Sequence, residues 1–143
     1  VIAMTFRAAK QGFFDRAKVK NAVDAGTRRV LSRFGAFVRT RARTSIRKKK
    51  GTSPPGSPPH SHVGLLRKFI LFAYDPQRKS VVIGPTLIRA ESQAPRLLEH
   101  GGEAVRRTKA KTRRLRYRPR PFMGPAFEAE QAQLPPLWKN SVR

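Results

Sequence analysis

His60, His62 and His100 are the side chains best suited to metal binding or proton transfer near neutral pH. His60 and His62 stand two residues apart in a Pro/Ser run, and the acids and spacing of zinc motifs are missing around them. Glu99 and His100 are adjacent, and neighbours on a helix point in different directions. With no nucleophile pattern beside them, they read as capping or packing residues rather than an acid–base pair. Gly101-Gly102 lacks the following Lys-Ser/Thr of a phosphate-binding loop. The 8 acids are scattered, so a metal-dependent nuclease lacks its clustered carboxylates. The absence of Cys excludes a disulfide framework, a thiolate metal site and a Cys nucleophile. The expectation is a non-enzymatic protein without metal or cofactor.

Charge is the stronger signal. The chain carries 32 Lys+Arg against 8 Asp+Glu, a net +24 over 143 residues. Such a chain repels itself unless an anionic partner compensates. Between residues 103 and 120 lie Arg106, Arg107, Lys109, Lys111, Arg113, Arg114, Arg116, Arg118 and Arg120, with Glu103 as the single acid. Too few apolar residues accompany them for a core, so the segment reads as an exposed basic arm or hairpin. Arg106, Arg107, Lys109, Lys111, Arg113, Arg114 and Arg116 are the candidate DNA- or anion-contacting residues. They are unpatterned and no recognition motif is visible, so contact with DNA would be to phosphate rather than to bases. Acidic surfaces of neighbouring proteins are the alternative partner.

The elements that must position this arm fit one domain, since domains commonly run about 100–150 residues. From residue 19 to 46, Val19, Val23, Val30, Phe34, Phe37/Val38, Ala42 and Ile46 recur at helical spacing. Gly26 and Gly35 each weaken such a helix by about 1 kcal/mol and mark a possible break or close packing contact. Arg47-Lys48-Lys49-Lys50 is expected to close the helix, and residues 1–18 to precede it as an arm. Residues 51–62 hold four prolines and two glycines, an extended loop with nothing of its own to bury. It is expected to become ordered only against a neighbour.

Residues 65–74 and 80–85, rich in aromatic and β-branched side chains around Asp75-Pro76, form a hairpin. A short helix at 95–100 ends at Gly101-Gly102. A last helix over 126–134 opens on Pro125, and Pro135-Pro136 stops it, leaving 135–143 as a tail. Phe122, Met123, Phe127 and Trp138 are the candidate packing or subunit-interface residues, Trp138 being the best placed for an interface. The fold class is α+β: a long N-terminal amphipathic helix packed on a small antiparallel sheet, a C-terminal helix, and extended Pro-rich and basic arms. The first residues lack a long apolar signal region, and no uncharged apolar run approaches the roughly 20 residues of a bilayer span. A chain made in the cytoplasm, with no membrane partner, is expected.

Gly64-Leu65-Leu66-Arg67, Val82-Ile83-Gly84-Pro85, Leu98-Glu99-His100-Gly101-Gly102 and Arg118-Pro119-Arg120-Pro121-Phe122-Met123-Gly124-Pro125-Ala126 follow the basic helix and the Pro-rich loop in that order. This series resembles the tail-component, or tail-completion, family of tailed phages and is similar to the phage virion-morphogenesis proteins. The resemblance covers roughly residues 19 to 134, and its departures include Val63 where Thr is usual and Ala94-Pro95 where Tyr-Ala is common. It implies a structural virion protein that forms a homo-oligomeric ring, six-fold, at the neck or head-proximal end of the tail. Adjacent neck or tail proteins and the genomic DNA backbone would be its partners, and the host cytoplasm its place of assembly. The competing reading is a sequence-independent nucleic-acid-binding protein of ribosomal type, which accounts for the charge but not for the ordered series.

Overall fold

The computed structural model describes residues 15–86, 93–107, 111–139 and 141. The apolar stripe produces the expected long helix, α1 (Arg16–Ser45), whose first turn is capped by the Asp15 carboxylate accepting from the Lys18 amide at 3.0 Å. Val30, Phe34, Val38, Ala42 and Ile46 are buried, whereas Val19 and Val23 on the same stripe are exposed. The basic run at 47–50 does not close the helix. Thr44 and Ser45 hydroxyls donate to the Arg41 and Ala42 carbonyls, and Ile46 turns to extended backbone with its side chain fully buried.

Neither glycine breaks α1, and Gly35 is where the sheet comes closest. A Cβ there would lie 2.8 Å from Val81 Cγ2 and 2.9 Å from Phe72 Cδ2. Gly35→Ala should gain helix propensity yet lose more to overpacking, a net cost of roughly 1 kcal/mol. The urea midpoint of the variant checks this; an unchanged or higher midpoint would show that the contact gives way freely.

The expected hairpin is present with a shorter first strand. Residues 65–68 form one helical turn, α2 (Leu65–Lys68), entered through Gly64 at φ +83°. β1 (Ile70–Asp75) then pairs antiparallel with β2 (Ser80–Pro85), Ile70 opposite Pro85 and Asp75 opposite Ser80. The Asp75 carboxylate accepts from the Gln77 and Arg78 amides and so forms the turn. Ile70 is buried and packs with Phe34, Val38 and Ala42 of α1, while Val81 and Ile83 lie against that core; Leu71 and Val82 face outward.

The loop at 51–62 has more to bury than its composition suggests. Ser53 and Ser61 are buried, the Gly56 amide donates to Pro119 O, and Arg120 Nε donates to Ser53 O at 2.8 Å. Residues of the same chain thus supply contacts for this loop.

Further along, α3 (Ala94–His100) is followed by β3 (Gly102–Arg107) and β4 (Thr112–Tyr117), which form a separate two-stranded antiparallel sheet. The architecture is thus α+β with two small sheets instead of one. The C-terminal part also differs from expectation. α4 (Met123–Gln131) starts and ends earlier than 126–134, and Pro135-Pro136 lies inside a further short helix, α5 (Leu134–Lys139), rather than ending one. In a first turn the missing amides cost nothing, because those amides have no intrahelical acceptor. Part of the expected tail is therefore helical, with Leu134 and Leu137 packed against the core.

Candidate nucleic-acid interface

The two ends of the basic hairpin are clamped together. Gly101, at φ +71°, turns the chain from α3 into β3. A Cβ there would meet Tyr117 O at 2.9 Å, so the approach of β4 requires glycine. After β4, the Arg120 amide donates to Leu98 O. The Glu99 carboxylate accepts from three successive amides, Phe122 at 2.9 Å, Met123 at 3.0 Å and Gly124 at 2.7 Å. These are the orphan donors at the start of α4, whose first turn holds no acid of its own. The negative charge at that helix end comes from Glu99 of α3.

Phe122 anchors the clamp. Among the described residues it is the largest fully buried side chain, and it packs with Val38, Ala42, Ile46, Ile70 and Ala126. Met123 lies half-buried against the same cluster. Phe127 meets Phe34 edge-on, ring centroids 5.7 Å apart, yet keeps 45 % of its surface exposed. Trp138 on α5 is 38 % exposed. The interface candidates therefore divide: Phe122 and Met123 are core, while Phe127 and Trp138 present aromatic surface outward.

From this root β3 and β4 run side by side in a register that places Glu103 opposite Arg116, Ala104 opposite Leu115, Val105 opposite Arg114 and Arg106 opposite Arg113. Directly opposed residues share a face and alternate residues change face. One face thus carries Gly102, Ala104 and Arg106 with Tyr117, Leu115 and Arg113; the other carries Glu103, Val105 and Arg107 with Arg116, Arg114 and Thr112. Ala104, Leu115 and Tyr117 are partly buried, and all five arginines are exposed. Lys111 just precedes β4, and Lys109 lies outside the described residues.

No described acid forms an ion pair with Arg106, Arg107, Arg113, Arg114 or Arg116; the ion pairs given by the described side chains join Arg41 to Glu130 and Lys79 to Asp24. Asp24 also holds the exposed Lys79 ammonium above the usual lysine range, chiefly by its hydrogen bond. Asp15 and Asp75 are bonded to backbone amides, and Glu99 to the clamp. Of the described acids, Asp15, Asp24, Asp75, Glu99 and Glu130 are thus bonded elsewhere, and Glu103, opposite Arg116, is the one acid on the described part of the hairpin. Its opposed Arg106 and Arg113, with β carbons about 5 Å apart by register, repel.

The histidines are not brought together as a site. His60 Nδ1 lies 3.3 Å from Gly51 O within the loop, and His100 ends α3. Two structural roles escaped sequence reasoning: Arg120 tying the loop to the clamp, and Arg41 reaching Glu130 across 89 residues. No short-range pattern announces either.

No protein-family model, no curated protein and no solved structure matches this chain. Among the described residues, no helix is long and apolar enough to cross a membrane.

Proposed function

We propose that this chain is a non-enzymatic structural subunit of a tailed-phage particle, forming a homo-oligomeric, six-fold ring at the neck or head-proximal end of the tail. The observation that carries the reading is the clamp. Two segments of the series that resembles the tail-completion family, Leu98-Glu99-His100-Gly101-Gly102 and the run from Arg118 to Ala126, bond to each other around buried Phe122. Their co-occurrence in the chain thus has a physical basis: each needs the other to hold one hairpin in place. The hairpin has two strands with both outer edges unpaired among the described residues, a form of marginal stability by itself and suited to completion by a neighbour. Neighbouring ring proteins and DNA phosphate are the partners that would offset a charge multiplied by ring closure.

Light scattering and electron microscopy of the purified, nuclease-treated protein test this. A closed ring is the expected result, and its detection in purified virions places it. A monomer at every concentration, retarding ribosomal RNA, would replace this reading with that of a ribosomal-type nucleic-acid-binding protein. The cation-rich hairpin is the feature that favours the rival.

A further inference from the structure

The hairpin's charge is distributed in a way that discriminates between anionic partners. Arg106 and Arg113 project from one face of the β3–β4 ribbon, and Arg107, Arg114 and Arg116 from the other, which also carries Glu103 opposite Arg116, so both faces are net positive. All are exposed, and none is paired with a described acid. A flat acidic protein surface can reach only one face of a ribbon, leaving the other face's cations unneutralised. A groove with phosphates on both walls reaches both. The major groove of B-form DNA, about 12 Å wide, admits a two-stranded ribbon whose strands lie about 4.8 Å apart. Six-residue strands reach roughly 20 Å, enough to carry the distal arginines between the walls while the apolar root stays on the protein. Guanidinium groups also suit the task, since they bond phosphate oxygens in a bidentate fashion.

We propose that the β3–β4 ribbon inserts into the major groove of duplex DNA, its two arginine-bearing faces contacting the phosphate backbones on opposite walls, without reading base sequence. This inference goes beyond the ring reading and does not depend on it. A protein that never closes a ring yet shows the dependence below would end that reading and leave this one standing.

The test is fluorescence anisotropy of the full chain with a short mixed-sequence DNA duplex over a range of salt concentrations. It compares wild type with Arg106→Ser/Arg113→Ser and with Arg107→Ser/Arg114→Ser/Arg116→Ser. Each face should contribute: every arginine removed should take about 0.9 off the slope of log affinity against log salt. The two-residue variant should accordingly lose roughly tenfold less affinity than wild type between about 50 and 200 mM salt. Lysine at the same five positions should keep the slope, which separates lost charge from a disturbed ribbon. Duplex RNA, whose deep and narrow major groove excludes a ribbon, should compete poorly, as should poly-glutamate. Loss confined to one face, a slope lowered by the lysine variants, or equal competition by duplex RNA or poly-glutamate would each overturn groove insertion.

Discussion

Phe122→Ala should destabilise the protein by about 3–5 kcal/mol, the usual cost of deleting a buried phenyl ring. The ring is 1 % exposed and touches the cluster formed by Val38, Ala42, Ile46, Ile70 and Ala126, so its removal opens a cavity where α1, β1 and α4 meet. Domains are typically stable by only about 5–15 kcal/mol, so this single truncation takes a large share of the total. Urea unfolding followed by circular dichroism measures it, and a midpoint equal to that of wild type would place the ring outside the core. Phe122 also sets the position of the clamp, so DNA binding or assembly should fall with stability. The exposed Phe127 and Trp138 give the contrast: truncating Trp138 should affect assembly more than folding.

Glu99→Ala should cost roughly 1.5–3 kcal/mol, the range for hydrogen bonds to a charged acceptor. The carboxylate receives three amides at the start of α4, and those of Phe122 and Met123 are partly shielded from water, so they lose an acceptor that solvent replaces poorly. The local signature is more telling than the global one. Amide hydrogen exchange at Phe122, Met123 and Gly124 should quicken, whereas that of the β1–β2 ladder should change only as far as global stability does. Unchanged exchange at those three amides would show that Glu99 does not hold them. Glu99→Gln keeps an acceptor oxygen and should fall between wild type and Ala.

Several elements could be read without tertiary information because their causes are local. The stripe from Val30 to Ile46 has one solution, a helix with that face buried, and the structure places α1 accordingly. Asp75-Pro76 between two β-rich runs specifies a turn through the Asp75 side chain itself. Gly101-Gly102 ends α3 because both residues adopt positive φ. The exposure of Arg106, Arg107, Arg113, Arg114, Arg116 and Arg118 also followed from composition, since these cations have too few apolar companions to be buried, whereas Arg120 is partly buried where it bonds the loop.

Other features depend on residues far away in the chain. Leu65 and Leu66 look like the start of a strand, yet Gly64 turns them into a helical turn that delivers Ile70 to the core. The Pro-rich loop has no apolar content to fold around, and its anchors are Arg120 and Pro119, more than sixty residues on. Local patterning determined where α1, the Asp75 turn and the end of α3 lie and which segment concentrates the positive charge, because propensity and hydrophobic period act over a few residues. Only the tertiary structure decided that Glu99 caps a different helix, that Phe122 ties the clamp to α1, and that the arginines divide between two faces of a ribbon. Those outcomes rest on register and long-range bonds, which depend on how distant segments pack and which no local window of residues encodes.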